Sequence, residues 1–277
     1  MCCLSQVLAT VTGKDGLKRY RSCINSFPKE KQMNTQNTKV ALVTGATRGI
    51  GLETVRQLAA AGVHTLLAGR NYETAAAKAR ELQAEGLPVE AIQLDVNDTD
   101  SIAVAVERVT QQHGKLDILV NNAGVLVDDL QAGASGQSLE TWRSTFNTNL
   151  FAVVEVTVAF LPLLRAAPAG RIVNVSSILG SLTLHAQPGS SIYGFIVPAY
   201  NASKSALNAW TVQLAHELRE GPIKVNAVHP GYVKTDMNGG EGEIDVAEGA
   251  RSSVGMALIA ADGPTGSFSY LGEVLPW

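Results

Sequence analysis

The segment "VALVTGATRGIG", Val40 to Gly51, decides how the rest of the chain is read. Its first half is a continuous apolar run, the kind that fills a strand buried on both faces. Its second half places Gly45, Gly49 and Gly51 between that run and a segment with helical spacing, Gly49 to Ala61. Strand, glycine turn and helix in this order open a βαβ unit whose loop is built for a pyrophosphate. Gly45 permits the tight turn, Gly49 lets the backbone approach the phosphates, and Gly51 lets the helix pack close to the sheet. Exposed N–H groups and the helix dipole then attract the phosphate charge.

Working outward, the same alternation continues. Strands are expected at Val63–Ala68, Val89–Leu94 and Leu116–Val120, separated by helices at about Tyr72–Glu85 and Thr99–His113. A long helix over Leu139–Leu164 leads to the strand "RIVNVS", and a helix at Ala199–Arg219 to the strand "IKVNAV". A short helix at Ala247–Ala260 and a strand at Ser267–Leu271 close the chain. Strands joined by helices of this length imply right-handed crossovers. The expected fold is α/β: a single-domain, Rossmann-type, doubly wound parallel sheet of about seven strands with helices on both faces.

The 277 residues are 45% hydrophobic and 17% charged, with net charge −3. That is ample core material, and it gives no global reason to expect nucleic acid or an anionic membrane as partner. The longest apolar window, Phe151–Leu164, is interrupted by Glu155 and falls short of a membrane span. A buried or interface helix is the better reading. Residues 1–38 read as an N-terminal extension, disordered or preceding the true start at Met33, and residues 39–277 as the domain. The first 33 residues carry six Lys/Arg against two acids and all three cysteines, Cys2, Cys3 and Cys23. The body thus has no thiol for a disulfide or a nucleophile, which fits a reducing, cytoplasmic compartment. An organellar transit role for the extension stays open.

Which nucleotide the loop takes depends on the next strand. An NAD site places an acid about 20 residues on, against the ribose 2′-hydroxyl. Here the strand ends "LLAGR", with Gly69 and Arg70 at that place, and Arg48 lies in the glycine loop. Two guanidiniums beside one ribose fit a 2′-phosphate, so the expected cofactor is NADPH/NADP+. Asp95 and Val96 end the third strand, where the adenine would lie. Asn121 and Asn122 in "LVNNAG" end the fourth, and could equally make Asx turns.

Two tyrosines compete for the chemistry. Tyr200 is followed by Lys204 one helical turn on, so both point from one face. The ammonium is expected to lower the phenol pKa, which ordinarily stands near 10. Tyr193 is followed by Val197 and Pro198 and has no cationic partner, so it reads as pocket shape or cover.

Taken in order, these motifs resemble the short-chain dehydrogenase/reductases. The likeness rests on T-G-x-x-x-G-x-G (Thr44–Gly51), N-N-A-G (Asn121–Gly124), Asn149 in "NTNL", the serines of "NVSS", Y-x-x-x-K (Tyr200–Lys204) and "HPGYVKTDM" (His229–Met237). It covers about Lys39–Trp277 and is closest to the NADPH-dependent carbonyl reductases. It implies Ser177, Tyr200, Lys204 and Asn149 as the catalytic set. Ser177 would bond the substrate carbonyl while Ser176 faces away, and Asn149 would hold a water linking Lys204 to solvent. It also implies a cofactor groove of Thr44, Gly45, Thr47, Arg48, Gly49, Ile50, Gly51, Arg70, Asp95, Val96, Asn122, Ala123 and Gly124, closed at the nicotinamide end by Pro230, Gly231, Val233 and Thr235. The implied reaction is reduction of a ketone or aldehyde, or the reverse oxidation of an alcohol. A non-catalytic NADP sensor of the same fold would be expected to lose Tyr200 or Lys204.

Departures are confined to two segments. Ser177 and Tyr200 are 23 positions apart, more than in the shortest family members, so "LHAQPGSSIYGFIV" should loop out near the substrate. This leaves monomer and homodimer both open. "NGGEGEIDVAEGA" (Asn238–Ala250) reads as a short, solvated, acidic lid. His229 reads as structural, and His64, His113, His185 and His216 are scattered without metal-ligand spacing.

Overall fold

The computed structural model describes residues 38–277. The expected extension therefore lies outside the described residues apart from Thr38, as do its three cysteines. Lys39–Trp277 forms one unit.

Eight strands make one sheet in the order β3-β2-β1-β4-β5-β6-β7-β8. They are β1 (Val40–Val43), β2 (His64–Gly69), β3 (Val89–Gln93), β4 (Ile118–Asn121), β5 (Arg171–Val175), β6 (Lys224–Val228), β7 (Phe268–Tyr270) and β8 (Glu273–Val274). The first seven run parallel, and β8 turns back against β7. The helices are α1 (Gly49–Ala60), α2 (Tyr72–Ala84), α3 (Thr99–His113), α4 (Leu139–Phe146), α5 (Ala152–Ala166), α6 (Leu182–Ala186), α7 (Pro198–Glu217) and α8 (Val246–Ala257).

Strand alternation divides the core in two. Val40 and Leu42 point to one face, where they meet Ile102 and Val109 of α3, Val156 and Phe160 of α5, and Leu214 of α7. Ala41 and Val43 point to the other, against Val55 and Leu58 of α1, Leu82 of α2 and Met256 of α8. A continuous apolar strand is what a sheet covered on both sides requires.

Local signals set the helix ends. Asp98 caps α3 by accepting the N–H groups of Asp100 and Ser101, and Gly114 stops it with φ +66°. Asp245, expected in a solvated loop, instead caps α8 by accepting the Glu248 N–H at 2.9 Å.

The expected single helix over Leu139–Leu164 is interrupted. Asn147–Phe151 winds as a π-helical turn between α4 and α5. The whole run, Leu139–Ala166, is long and apolar enough to cross a membrane by length and composition. Half of its most apolar window is buried inside the fold, through residues such as Val153, Val156 and Phe160.

Candidate active site

β1 pairs with β2 on one side and β4 on the other, so the winding direction reverses between β1 and β4. Ligands of such sheets bind in the crevice beyond this reversal, at the carboxyl ends of the strands. The glycine loop and the "NNAG" segment meet there. Thr44 Oγ1 accepts the N–H groups of Asn122 and Ala123, both at 3.0 Å. Asn122 Nδ2 returns two bonds, to the carbonyls of Thr44 (2.9 Å) and Gly45 (3.1 Å). Neither asparagine is a mere turn former. Gly51 faces this clamp, and a Cβ there would lie 2.4 Å from Asn122 Nδ2.

Asn121 is buried and donates to both Thr157 of α5 and Asn174 of β5, each at 2.9 Å. Asn174 in turn donates to Thr211 of α7 at 2.9 Å. This fully bonded polar chain ties two helices to adjacent strands and fixes α7 against β5.

α7 carries Tyr200 and Lys204, both buried. The Ser177 side chain, just past β5, stands close enough to the Tyr200 phenol to favour its ionised form, and its Oγ accepts the Leu179 N–H at 3.2 Å. Ser176 points the other way and donates to Asn208 at 2.6 Å. The Lys204 ammonium lies 5.5 Å from the centre of the Tyr200 ring and donates to the Val175 carbonyl at 2.8 Å. Asn149 sits in the π turn, fully buried. Its side chain accepts the Val125 N–H (2.8 Å) and donates to the Val125 carbonyl (2.9 Å) and to Ser203 Oγ (3.0 Å). The extra backbone group of a π turn aims Asn149 at the Gly124–Val125 segment and at α7, a placement such turns often serve. Tyr193, by contrast, is half exposed in the loop before α7.

The expected depression of the Tyr200 pKa is not what the protein's own groups produce. Burial pushes the phenol up to about 12, and the nearby Ser177 side chain only partly offsets this. Lys204 is pushed down to about 8, again by burial. With its ammonium turned to a backbone carbonyl, desolvation outweighs the cationic neighbour. Tyr200 is therefore protonated at neutral pH.

The remaining expected residues line the same crevice. Arg48 and Arg70 are exposed at its mouth, and Arg48 bonds Asp236 at 2.9 Å. Asp95 and the buried Val96 follow β3, with Asp95 Oδ1 accepting the Asn97 N–H at 3.0 Å. Pro230 and Gly231 follow β6. Thr235 faces Gly49, its methyl 3.9 Å from where a Cβ would stand. Val233 lies in a short bridge to Ile244, and its own N–H takes no part in that bridge's hydrogen bonds.

A phosphate-bearing cofactor fits this crevice by one plain feature. α2, α3 and α8 each have a side-chain cap, from Asn71, Asp98 and Asp245. α1 has none, and no acid stands in its first turn. Its leading N–H groups face the crevice without a side-chain acceptor, which is the arrangement that holds an anion.

Residues 39–244 match the family model described as short chain dehydrogenase. The chain belongs to the short-chain dehydrogenase family. "Short-chain dehydrogenase anuI" of Penicillium roqueforti is 37% identical, over 78% of this chain and 86% of the relative. The (+)-neomenthol dehydrogenase of Arabidopsis thaliana is 34% identical over 85% and 97%. Among solved structures, the NADPH-bound carbonyl reductase from chicken fatty liver superposes with TM-score 0.75 at 29% identity, covering 87% of this chain and 99% of its own.

Two residues of this short-chain dehydrogenase that position the site escaped the sequence reading. Asp128 accepts the backbone N–H groups of Ala199 (2.8 Å) and Tyr200 (3.1 Å), capping α7 from a distant loop. The only local signal was Pro198 at the first turn, which marks the helix start but cannot cap it. Gly180 lets α7 approach the turn after β5, since a Cβ there would stand 2.8 Å from the carbonyl carbon and 2.9 Å from the Cβ of Lys204. His229 supports the same turn, its Nδ1 accepting the Ile178 N–H at 3.2 Å, and burial pushes its pKa down to about 4.

Proposed function

We propose that this oxidoreductase reduces a ketone or aldehyde to an alcohol at the expense of NADPH, with Tyr200 as general acid. The carrying observation is that buried Tyr200 and Lys204, one helical turn apart on α7, stand together at the end of β5 beside Ser177, with the Lys204 ammonium 5.5 Å from the Tyr200 ring centre. Two hydroxyl donors converge there on one acceptor position, which suits a carbonyl oxygen that gains charge.

The reduced nicotinamide, when bound, supplies the hydride. The protein's residues do the rest. Ser177 orients and polarises the carbonyl oxygen. Tyr200, protonated at neutral pH, gives its proton to that oxygen as charge develops. Lys204, held by the Val175 carbonyl, stabilises the phenolate left behind. Asn149 orders the backbone between Gly124 and Val125 beside that ammonium, and a water there would return the proton to the pair.

The preference for NADPH over NADH rests on Arg48, Arg70 and Gly69. A side chain at position 69 would collide with Thr47, its Cβ 2.5 Å from the threonine methyl. An acid on the ribose 2′-hydroxyl is thereby denied, while two guanidiniums stand at the mouth. The names of the relatives, (+)-neomenthol dehydrogenase and an NADPH-bound carbonyl reductase, support the same kind of chemistry.

The test is NADPH consumption across a panel of aldehydes, ketones and quinones by wild type and Tyr200→Phe. The variant is expected to lose roughly 10²- to 10⁴-fold in kcat with its fold intact. Wild-type turnover by the variant would remove Tyr200 from the chemistry.

A further inference from the structure

Two histidines that look unrelated in the sequence meet at the opposite end of the sheet from the site above. His64 opens β2, Glu90 is the second residue of β3, and His113 is the last of α3. Their rings are 5.2 Å apart, centre to centre. His64 Nε2 lies 3.5 Å and His113 Nε2 3.8 Å from the same carboxylate oxygen, Glu90 Oε2. All three ligand atoms fall within 4.8 Å of one another.

Both Nε2 atoms are buried and have no hydrogen-bond partner among the described residues. Buried polar atoms are as a rule bonded; five other buried side-chain atoms among the described residues also lack a partner, but two imidazole nitrogens facing one carboxylate oxygen call for a shared acceptor of their lone pairs. We propose that His64, Glu90 and His113 bind a divalent transition ion, with Zn2+ the ion this donor set favours, and that the ion clips the edge strand β3 to β2 and to the end of α3.

Chemistry and geometry agree on the class of ion. Two imidazoles and a carboxylate suit zinc, with a solvent molecule completing the tetrahedron. Ligand atoms about 2.0–2.2 Å from a tetrahedral ion lie roughly 3.4 Å apart, close to the two separations seen here. Glu90 is already oriented: its other oxygen, Oε1, accepts from Arg108 at 2.6 Å, leaving Oε2 for the ion. The C-terminus of α3 favours a cation at His113. Arg108, paired with Glu90, is an opposing positive charge beside the site and should limit the affinity.

The clip is structural. It grips the amino ends of β2 and β3, whereas the cofactor crevice lies at the carboxyl ends of the strands, so turnover should not depend on it.

The experiment uses the full chain, its three cysteines retained, as wild type and as His64→Gln/His113→Gln. Zinc content after equilibrium dialysis should be lower by one ion per chain in the variant. Zinc at about a hundredfold excess over its Kd should raise the wild-type Tm by roughly 5–10 °C and leave the variant's unchanged. NADPH-dependent turnover should be the same in both, which separates this proposal from the catalytic one. Equal zinc content and equal shifts would overturn it. Should the variant not fold in chelator, wild-type crystals soaked in Zn2+ decide: an anomalous peak about 2.0–2.2 Å from both Nε2 atoms and Glu90 Oε2 supports the site, and no peak there refutes it.

Discussion

Asp128 accepts the backbone N–H of Tyr200 at 3.1 Å, so the residue that fixes the height of the helix carrying Tyr200 and Lys204 comes from the loop after β4, 72 positions earlier. Asp128→Ala removes the side-chain acceptor that, among the described residues, caps the start of α7. The loss of a cap costs about 1–2 kcal/mol, a fall in Tm of roughly 2–8 °C. Turnover should fall with it because Tyr200 occupies the freed turn. Asp128→Asn, which keeps an acceptor, should recover most of both. Differential scanning calorimetry with steady-state assays checks this, and full activity in the alanine variant would speak against it.

Gly180→Ala places a methyl group against the backbone of Lys204. Overpacking of this kind costs about 1–3 kcal/mol. The larger effect should be on rate, since a shift of α7 moves Tyr200 and Lys204 relative to Ser177. We expect kcat to drop by about 10- to 100-fold with KM for NADPH nearly unchanged. A rise in KM at constant kcat would place the damage in the cofactor crevice instead.

Lys204 should leave a signature in pH-dependent stability. Its pKa, 10.5 when unfolded, is lowered to about 8 in the fold by burial. Below pH 8 the charged form is present in both states and the folded one carries the full desolvation penalty. As pH rises from 8 towards 10.5 the unfolded chain binds more protons, so stability rises. Tyr200 opposes this only above pH 10, where the unfolded phenol ionises first. Between about pH 7 and about pH 9.5 wild type should gain up to about 2 kcal/mol relative to Lys204→Met. Urea titrations at both values measure it, and parallel curves would refute it.

If Arg48 holds a 2′-phosphate, as proposed, Asp236 competes with it for the same guanidinium. The Arg48–Asp236 pair is largely exposed, so Asp236→Ala should change Tm little. Its effect should appear in binding: a several-fold lower Kd for NADPH and unchanged affinity for NADH, with the NADPH gain lost and NADH affinity still unchanged in Arg48→Ala/Arg70→Ala. Isothermal titration distinguishes these. Equal gains for both cofactors would detach Arg48 from the ribose.

What could be read from the sequence was local. The glycine loop, the Tyr200–Lys204 face and the α3 boundaries at Asp98 and Gly114 each depend on residues within a turn or two of one another. The π turn was hidden because apolar spacing runs unbroken from Leu139 to Leu164. β8 has only two residues, too few for alternation to register. Asp128, the Asn121–Asn174–Thr211 chain and the approach of Gly180 to α7 exist only once distant segments are packed. The phenol pKa failed for a related reason. Adjacency of Lys204 was visible, whereas the burial that outweighs it was not.

The bond from Lys204 to the Val175 carbonyl has a consequence for how this protein can change. The ammonium is anchored by an atom every amino acid possesses, so no substitution at position 175, proline included, can delete the acceptor. Mutational drift around the site can alter what the pocket admits while the lysine's tether is inherited with the strand itself.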